Sequence, residues 1–498
     1  MTNASPTPRK DLSPAAVMPA QRDLYYAGQW QSPRAGKYVD TINPALGESI
    51  ARVAEAGAED ADAAIRAAHE AFAKWRKVKP LERAALLKEA AAVLRTHAEE
   101  LAMLDALNTG NPVAEMVSDA RVAATVIEYF AGLVTEIKGD TIPMGEDNIN
   151  YTVREPLGVV ARIVAYNHPL MFAAMKSGAP LAAGNTIVVK PPEQAPLSAL
   201  KLAELIGGIF PPGVLNVLPG GKACGQALAS HPLVRKVTLI GSVPTGKVIM
   251  RTGADTLKPV LLELGGKNAL IAYPDADIEK VIAGAVRGMN FTWSGQSCGS
   301  TSRAFLHESI HDQVLEGIAR LVQEKHRPGI PTDWSTTMGP LVSQAQFDKV
   351  MGYIKWGKEE GARLVTGGKP PADPKLAKGF FVEPTIFADV KPSMRIAKEE
   401  IFGPVLSVLK WKDEDELFAQ VNAVEYGLTA SIWTHDLVTA HRAASRVQAG
   451  YVWINHSSQH FLGAPFGGFK QSGIGREESL EELFEFTQVK NVNVNLGA

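Results

Sequence analysis

Between residues 157 and 264, five short apolar runs alternate with helix-like segments, and this alternation restricts the possible folds of the chain more than any other feature. The apolar runs cover residues 157–164, 186–189, 214–218, 237–240 and 260–264. The helical segments cover about 169–182, 196–208, 222–230 and 245–253. Apolar runs of this length, separated by helices, are typical of buried parallel strands with crossover helices. The pattern predicts an α/β fold with a Rossmann-type parallel sheet, an architecture that commonly binds dinucleotides.

The segments on either side of this sheet predict further elements. Apolar residues at spacings of three and four predict helices over 59–77, 81–108 and 112–137, which have no evident site of their own. A second α/β region follows residue 265, with strands predicted at 301–306 and 405–409. Residues 489–496 alternate asparagine with valine and leucine, which predicts an exposed edge strand, and residues 141–155 are its candidate partner.

Charge and cysteine content argue against several classes of protein. The 498 residues include 51 basic and 53 acidic side chains, a net charge of −2, so nothing favours nucleic acid or an anionic membrane as a partner. No apolar run approaches the ~20 residues that cross a bilayer, and the first 20 residues lack the apolar core of a signal peptide. Two cysteines cannot form a disulfide framework in so long a chain, so we predict a cytoplasmic protein, with no metal site.

Cys298 is the candidate nucleophile. It lies in Gly295-Gln-Ser-Cys298-Gly-Ser300, whose small neighbours leave a thiolate accessible to substrate and cofactor. On this context alone, a nucleophile and an inert buried thiol are about equally consistent with the sequence.

Two polar residues lie at predicted strand ends. Glu263 ends an apolar run, where desolvation would raise the carboxyl pKa and suit a general base for water. A structural carboxylate that caps the following glycine turn is the competing interpretation. Asn167 lies at a predicted strand-to-helix junction, where its amide can stabilise an oxyanion or act as an ordinary helix cap.

Two further segments suit a nucleotide. Glu193 follows a predicted strand, close to Lys190, and an acidic residue there can bind ribose hydroxyls and repel a 2′-phosphate. The turn from Gly241 to Gly246 offers free N–H groups at a helix N-terminus, which suit a phosphate, although it is not the G-x-G-x-x-G fingerprint. Alone, each segment is also consistent with an ordinary surface turn.

Taken together and in this order, these segments resemble the aldehyde dehydrogenase superfamily over about residues 23–495. The matching blocks are Tyr166-Asn167, Lys190-Pro-Pro-Glu193, Gly241-Ser242 with Gly246, Glu263-Leu-Gly-Gly-Lys267, Gly295-Gln-Ser-Cys298, Glu400-Ile-Phe402-Gly-Pro404 and Pro465-Phe-Gly-Gly-Phe-Lys470 with Arg476-Glu477. Two blocks differ from the commoner family pattern: Ala165-Tyr166 replaces Pro-Trp, and Leu239-Ile240 replaces Phe-Thr. Both differences lie near expected cofactor contacts, so they affect cofactor affinity and orientation more than chemistry.

The resemblance implies a chain of four parts and a catalytic role for five residues. The parts are a disordered tail (1–20), an NAD-binding domain (21–137 and 157–264), a catalytic domain (265–475) and a β segment for oligomerisation (138–156 and 484–498). Cys298 would attack the aldehyde, Asn167 would hold the oxyanion, and Glu263 would activate the water that hydrolyses the thioester. Lys176 and Glu477 match positions that are associated with a proton relay.

The resemblance also implies binding residues. The cofactor would be NAD rather than NADP, and its contacts would be Val164, Tyr166, Lys190, Glu193, Gly225, Gly241, Ser242, Gly246, Leu264, Glu400 and Phe402. The aldehyde tunnel would contain Phe172, Met175, Thr292, Trp293, Ser297, Gln459, His460 and Phe466. Aromatic and methionine surfaces with a few polar groups suit an aromatic or medium-sized apolar aldehyde. The resemblance further implies a homodimer or homotetramer.

Three other functions are weighed against aldehyde oxidation by NAD. A CoA-acylating enzyme would need no water-activating base, so the presence of Glu263 argues against it. A thiol hydrolase would leave Glu263 and the nucleotide segments unused, and no pattern ties one of the eleven histidines to Cys298. A non-enzymatic relative would be expected to lack Cys298, Glu263 or Asn167, and all three are present.

Overall fold

The computed structural model describes residues 12–497, and its first part is a layer of helices beside two small hairpins. Alanines on α3, α4 and α5 are fully buried, and these small side chains let the helices approach closely. The elements of this part are α1 (Pro14–Val17), β1 (Leu24–Tyr26), β2 (Gln29–Gln31), β3 (Tyr38–Asn43), β4 (Glu48–Ala54), α2 (Ala58–Trp75), α3 (Pro80–Thr96), α4 (Ala98–Thr109) and α5 (Val113–Gly132), followed by a 3-10 turn at Val134–Glu136.

Two expectations for this part were wrong. The single helix predicted over 81–108 is two helices, because His97 leaves the helical region with φ −102° and ψ 16°. Its ring bonds to the Glu100 carboxylate (2.7 Å), and the break lets both helices turn buried faces to the core. The predicted tail is ordered from residue 12 onward, since Val17 is fully buried and the Ala20 N–H donates to Glu204 at 2.7 Å. Residues 1–11 of that tail lie outside the described residues.

The first large sheet confirms the predicted strand–helix alternation. Its strand order is β2-β1-β9-β8-β7-β10-β11-β21, and the five strands from β9 to β11 in this order are parallel. The elements that follow α5 are β5 (Thr141–Ile142), β6 (Asn148–Pro156), β7 (Val159–Ile163), α6 (Pro169–Ala182), β8 (Thr186–Lys190), α7 (Leu197–Ile206), β9 (Leu215–Val217), α8 (Lys222–Ser230), β10 (Val234–Ile240), α9 (Val243–Ala254) and β11 (Val260–Glu263). Val159 and Val160 of β7 and Ile187 and Val188 of β8 are fully buried, which fits strands that are covered on both faces.

A second sheet follows, with the strand order β14-β15-β16-β13-β12-β18-β19, and only its edge strand β14 is antiparallel. Helices α10 and α11 pack together against one face of it. Its part of the chain contains β12 (Ala269–Ala272), α10 (Ile278–Gly288), β13 (Arg303–His307), α11 (His311–Lys325), α12 (Gln344–Glu359), β14 (Arg363–Thr366), β15 (Thr385–Ala388), α13 (Arg395–Lys398), β16 (Val405–Trp411), α14 (Glu414–Asn422), β17 (Tyr426–Gly427), β18 (Thr429–Trp433), α15 (Leu437–Arg446) and β19 (Tyr451–Ile454).

The C-terminal segment returns to the first sheet and then forms a small sheet of its own. Its elements are β20 (Phe469–Lys470), β21 (Gly473–Ile474), α16 (Leu480–Glu485) and β22 (Thr487–Asn495). Strand β22 pairs with β6 along its whole length, from Thr487 opposite Pro156 to Asn495 opposite Asn148. The predicted pairing of the final strand with residues 141–155 is therefore confirmed. Within residues 12–497, no helix combines the length and the apolar character needed to cross a membrane.

Candidate active site

Four predicted site segments meet at one edge of the first sheet, because each follows the carboxyl end of a parallel strand. Asn167 follows β7, Lys190 ends β8, Gly241 follows β10, and Glu263 ends β11. Strands β7 and β10 are neighbours although β8 and β9 separate them in the sequence, so the strand order reverses between them. Ligands of open α/β sheets bind in the crevice that such a reversal creates.

The loop that carries Cys298 is anchored by Asn268. The Asn268 amide donates to the carbonyl oxygens of Cys298 (2.7 Å) and Ser300 (3.0 Å), and its own oxygen accepts from the Thr429 N–H (3.0 Å). The side chain is 3% exposed, so these bonds are shielded from water. Asn268 thereby ties the backbone of the candidate nucleophile to β18. The sequence analysis missed it, and its place directly after the Glu263–Lys267 block was the only signal.

Gly295 allows this loop to pack closely against the segment that follows Glu400. Its φ is +64°, and a Cβ at this position would overlap the carbonyl oxygen of Gly403. Any other residue would therefore combine backbone strain with a clash. The glycine that suggested an open, accessible loop is required by backbone packing.

Cys298 and Glu263 form a directly interacting pair. The Cys298 thiol and the Glu263 carboxyl group are close enough for each to shift the pKa of the other, and Glu263 Oε1 is buried without a hydrogen-bond partner. Burial raises the pKa of Glu263 to about 8, and the nearby Glu477 carboxylate acts in the same direction. Burial and the Glu263 charge also raise the pKa of Cys298, while the Gly299 N–H stabilises the thiolate. Deprotonation of the half-buried thiol therefore needs an acceptor next to it, and Glu263 is in that position.

Two hydrogen-bond donors that were predicted to hold the oxyanion, the Asn167 side chain and the Cys298 backbone N–H, are uncommitted within the described residues. Asn167 is 5% exposed, and within residues 12–497 its side-chain amide makes no hydrogen bond. The Cys298 N–H also donates to no other group in this range. Buried donors without partners suit an oxygen that becomes negative during a reaction.

Helices α4 and α5 and the turn between them hold the Asn167 turn from behind, although the sequence suggested no site there. Asn111 donates to the Asn167 carbonyl oxygen at 2.7 Å, and Asp105 accepts from the Leu170 N–H at 3.3 Å. Asp119 bonds to Nδ1 of His168 at 2.6 Å. Burial raises the pKa of Asp105 to about 7. The sequence analysis missed Asp105, Asn111 and Asp119.

Lys176 and Glu477 are brought together in a buried ionic cluster. Lys176 Nζ lies 2.9 Å from Glu477 Oε2 and 4.0 Å from Glu478 Oε1. Arg162 lies 3.8 Å from Glu477 and 4.0 Å from Glu482. Burial raises the pKa of Glu482 to about 7, whereas three carboxylates raise the pKa of Lys176 against the opposing effect of burial. Within this cluster, the Glu477 carboxylate raises the pKa of Glu263 and the Lys176 ammonium group lowers it.

Glu400 and Phe402 approach the glycines that follow Glu263. Glu400 Oε1 accepts from the Gly266 N–H at 2.9 Å, and burial raises the pKa of Glu400. The Phe402 ring meets Tyr166 edge-on with centroids 5.8 Å apart. Gln346, which the sequence analysis missed, donates to the Phe402 carbonyl oxygen at 2.7 Å and fixes this segment to α12.

The residues predicted to bind adenosine lie together at the ends of β8 and α8. Lys190 is 6% exposed, and a Cβ on Gly225 would lie 3.6 Å from its side chain. Glu193 is exposed, and a Cβ on Gly221 would lie 3.7 Å from its carboxyl carbon and 3.2 Å from Glu55 Oε1. Two carboxylates thus line this position.

The turn after β10 has the form of a phosphate cradle. Ser242 caps α9, and its hydroxyl accepts from the Thr245 N–H at 3.4 Å. A Cβ on Gly246 would lie 2.8 Å from Leu264, so the helix lies against the end of β11. Val164, another predicted cofactor contact, lies directly after β7, and its N–H donates to the carbonyl oxygen of Lys190 at the end of β8 (3.1 Å).

The predicted tunnel residues form two aromatic groups. In one, the His168 ring contacts both Phe172 and Trp293. In the other, Phe466 lies 4.4 Å from His460, whose ring bonds to Glu478 at 2.9 Å. Their other predicted neighbours are buried Met175, half-buried Ser297 and Thr292, and exposed Gln459. The structure gives Gln459 no evident side-chain role, because its carbonyl oxygen is what binds Trp453.

Comparison with known proteins shows which family this chain is similar to. Residues 30–492 match the model of the aldehyde dehydrogenase family. Aldehyde dehydrogenase tropH of Talaromyces stipitatus is 56% identical over 487 residues, which cover 97% of this chain and 95% of that protein.

Solved structures show the same similarity in three dimensions. The aldehyde dehydrogenase of Bacillus cereus, solved with NAD⁺, has a TM-score of 0.94 and 42% identity, over 98% of this chain and 99% of that one. PnpE of Pseudomonas sp. WBC-3, solved with nicotinamide adenine dinucleotide, has a TM-score of 0.94 and 43% identity, over 96% of this chain and 98% of that one.

Proposed function

This chain belongs to the aldehyde dehydrogenase family, and from that premise we propose that it oxidises an aldehyde to the carboxylic acid through a Cys298 thioester, with NAD as the hydride acceptor. The observation that carries this proposal is the proximity of Cys298 and Glu263, a thiol beside a buried carboxyl group whose pKa is raised to about 8. A group with that pKa can accept a proton at neutral pH and return it during the same cycle.

The first half of the reaction uses Cys298, Glu263 and Asn167. Glu263 accepts the thiol proton, and the thiolate sulfur forms a bond to the aldehyde carbon, which turns the carbonyl oxygen into an alkoxide. The Asn167 amide and the Cys298 N–H, both uncommitted, donate to that oxygen. When the alkoxide collapses, a hydride leaves the carbon, NAD supplies its acceptor, and a thioester remains on Cys298.

The second half depends on Glu263 as a base for water. After the proton taken from the thiol has left Glu263, the carboxylate removes a proton from water, the resulting hydroxide attacks the thioester carbon, and the carbon–sulfur bond breaks to release the acid and the thiolate. Each turnover leaves protons on Glu263 that have to be released. The buried Lys176–Glu477 pair, whose charges act on Glu263, is the proposed relay.

The nucleotide residues fit NAD better than NADP. Gly246 lets α9 lie against β11, so the N–H groups that begin α9 can bind a phosphate. Lys190 and Glu193 would hold the adenosine ribose, while Glu400 and Phe402 would steady the nicotinamide half. A 2′-phosphate near Gly221 would meet the carboxylates of both Glu193 and Glu55. The NAD complexes of the Bacillus and Pseudomonas relatives support this choice.

An aromatic or medium-sized apolar aldehyde is the proposed substrate. Phe172, Trp293 and Phe466 supply aromatic walls, and Met175 adds an adaptable apolar surface. Both cysteines are free thiols, which supports a reducing compartment such as the cytoplasm.

A pre-steady-state experiment tests the proposed chemistry. With an aromatic aldehyde and NAD, Cys298→Ala should give no NADH. Glu263→Gln should release at most about one NADH per active site and then stall, because the thioester is not hydrolysed, and that release should be slower than in the wild type, because the thiol has lost its proton acceptor. An active Cys298→Ala variant would overturn the proposal. Adding CoA to the wild type separates the acylating alternative, which predicts an acyl-CoA product instead of the free acid.

A further inference from the structure

We propose that His168 and Asp119 form a polar subsite of the aldehyde tunnel, where Nε2 of His168 accepts a hydrogen bond from a hydroxyl group on an aromatic aldehyde. This inference rests on the function proposed above, because it requires that the space beside Phe172 and Trp293 receives the aldehyde.

The His168 ring lies between two of the tunnel walls. It meets Trp293 edge-on, with centroids 4.5 Å apart and planes at 88°, and it meets Phe172 at 5.7 Å and 75°. His168 also follows Asn167 directly, and it precedes the first residue of α6. A substrate ring held by Phe172 and Trp293 would therefore be next to the imidazole as well.

Asp119 fixes the tautomer and the orientation of the imidazole. Its Oδ2 lies 2.6 Å from Nδ1 of His168, and an ionised carboxylate only accepts, so Nδ1 carries a proton. In the neutral ring, Nε2 is then an acceptor. The pair is rigid, because Asp119 is 6% and His168 5% exposed, and α5 holds the carboxylate against the helix that begins with Pro169.

Nε2 is available to a ligand. Within residues 12–497 it makes no hydrogen bond, and it is not completely enclosed by protein atoms, so a ligand can reach it. The charged groups behind it are acidic. Asp119 contacts the imidazole, Asp105 interacts electrostatically with both Asp119 and His168, and Glu115 lies close to Asp119. This setting favours a neutral proton donor and disfavours a carboxylate on the substrate.

A buried acceptor of this kind discriminates against ligands that leave it without a hydrogen bond. A ligand without a hydroxyl displaces water from Nε2 and leaves the nitrogen unpaired, which enzymes exploit to reject analogues that lack one polar group. We therefore expect a preference of about tenfold or more in kcat/KM for a hydroxylated aldehyde over its matched methyl ether.

The test compares matched aldehydes in the wild type and in two variants. The panel contains benzaldehyde and the 2-, 3- and 4-hydroxy and methoxy benzaldehydes, with NADH formation as the readout. For at least one ring position, the wild type should prefer hydroxy over methoxy about tenfold or more, and His168→Phe should reduce that ratio to about threefold or less. Asp119→Asn should also reduce it, because an amide that donates to Nδ1 turns Nε2 into a donor.

Because the hydroxy-to-methoxy ratio of kcat/KM is taken within each protein, a general loss of activity cancels. If His168→Phe does not fold, Asp119→Asn provides the test instead. His460→Phe, which removes the other tunnel histidine, is the control and should keep the preference. A wild type with equal kcat/KM for the hydroxy and methoxy aldehydes at every position would overturn the subsite, as would a preference retained in His168→Phe. A wild type that oxidises no aldehyde at all would instead overturn the proposed function.

Discussion

Asn268 is the residue through which the second sheet positions the nucleophile. Its replacement by alanine would leave the Cys298 and Ser300 carbonyls and the Thr429 N–H without partners in a buried place. We expect Asn268→Ala to slow the NADH burst about tenfold or more, since a small displacement of an attacking atom is enough for such a loss. The pH dependence of Cys298 alkylation by iodoacetamide should change as well, which a general loss of stability would not cause.

Asn422→Ala is the matched control for this prediction. Asn422 also bridges two backbone groups, with bonds of 2.9 Å to the Arg446 carbonyl oxygen and from the Gln448 N–H, but neither belongs to the Cys298 loop. The Asn422→Ala substitution should lower the thermal stability of the protein, while the rate of the NADH burst should remain that of the wild type. Equal burst rates in the Asn268 and Asn422 variants would show that Asn268 does not position the thiol.

Glu263 makes the folded protein sensitive to pH in a defined direction. Burial raises its pKa to about 8 in the folded state, against about 4.3 in an unfolded chain, so the folded protein holds this proton more tightly. Stability is therefore lost as pH rises from about 4.3 to about 8, where an ionised carboxylate becomes buried. Glu263→Gln imitates the protonated acid. Its melting temperature should match the wild type near pH 5 and exceed it by several degrees at pH 8.5.

The exposed Glu89 provides the comparison, because Glu89→Gln removes a carboxylate that is already in water. That variant should follow the wild type at every pH. A Glu263→Gln melting temperature that differs from the wild type by the same amount at pH 5 and pH 8.5 would contradict a raised pKa for Glu263 in the folded protein.

At the scale of elements, local patterns predicted what depends on local chemistry. The apolar runs at 186–189 and 260–264 became β8 and β11, because strands covered on both faces need continuous apolar residues. The break at His97 has no glycine or proline to announce it, so the alternating pattern of α3 and α4 looked like one helix. The break depends on tertiary packing, and the spacing of apolar residues along the sequence does not predict it.

The same limit explains why parts of the site were missed. Cys298, Glu263 and Asn167 were identified by their position in matching blocks, and the structure brings the first two into contact. Asp119 and Asn111 act on the Asn167 turn across the helix layer, and a single buried polar residue in an amphipathic helix carries no local signature of its partner. Asp119 lies between Ser118 and Ala120 in α5, a context that does not distinguish a buried acid from an exposed one, so the sequence carries no usable signal for it.

At the scale of the whole molecule, the sheet formed by β5, β6 and β22 leaves a long edge open. Among residues 12–497, strand β22 pairs with β6 on one side only, and its Val489 and Val494 are 58% and 38% exposed. Beside it, Ile149 and Tyr151 of β6 are 45% and 37% exposed. An unpaired nine-residue edge with exposed apolar side chains is a surface that a second chain can cover. We therefore propose that this small sheet joins subunits in a dimer or tetramer.

Charge placed on that edge should dissociate the assembly. Light scattering of the wild type should give two or four times the chain mass of 53.4 kDa, and Val489→Lys with Val494→Lys should lower that number, because two desolvated ammonium groups oppose the contact. Leu437→Lys with Val438→Lys makes the same chemical change at an apolar surface, 69% and 70% exposed, away from the small sheet. That control should keep the wild-type mass. A wild type of 53.4 kDa, or a β22 double variant that keeps the full assembly mass, would show that the edge does not join subunits.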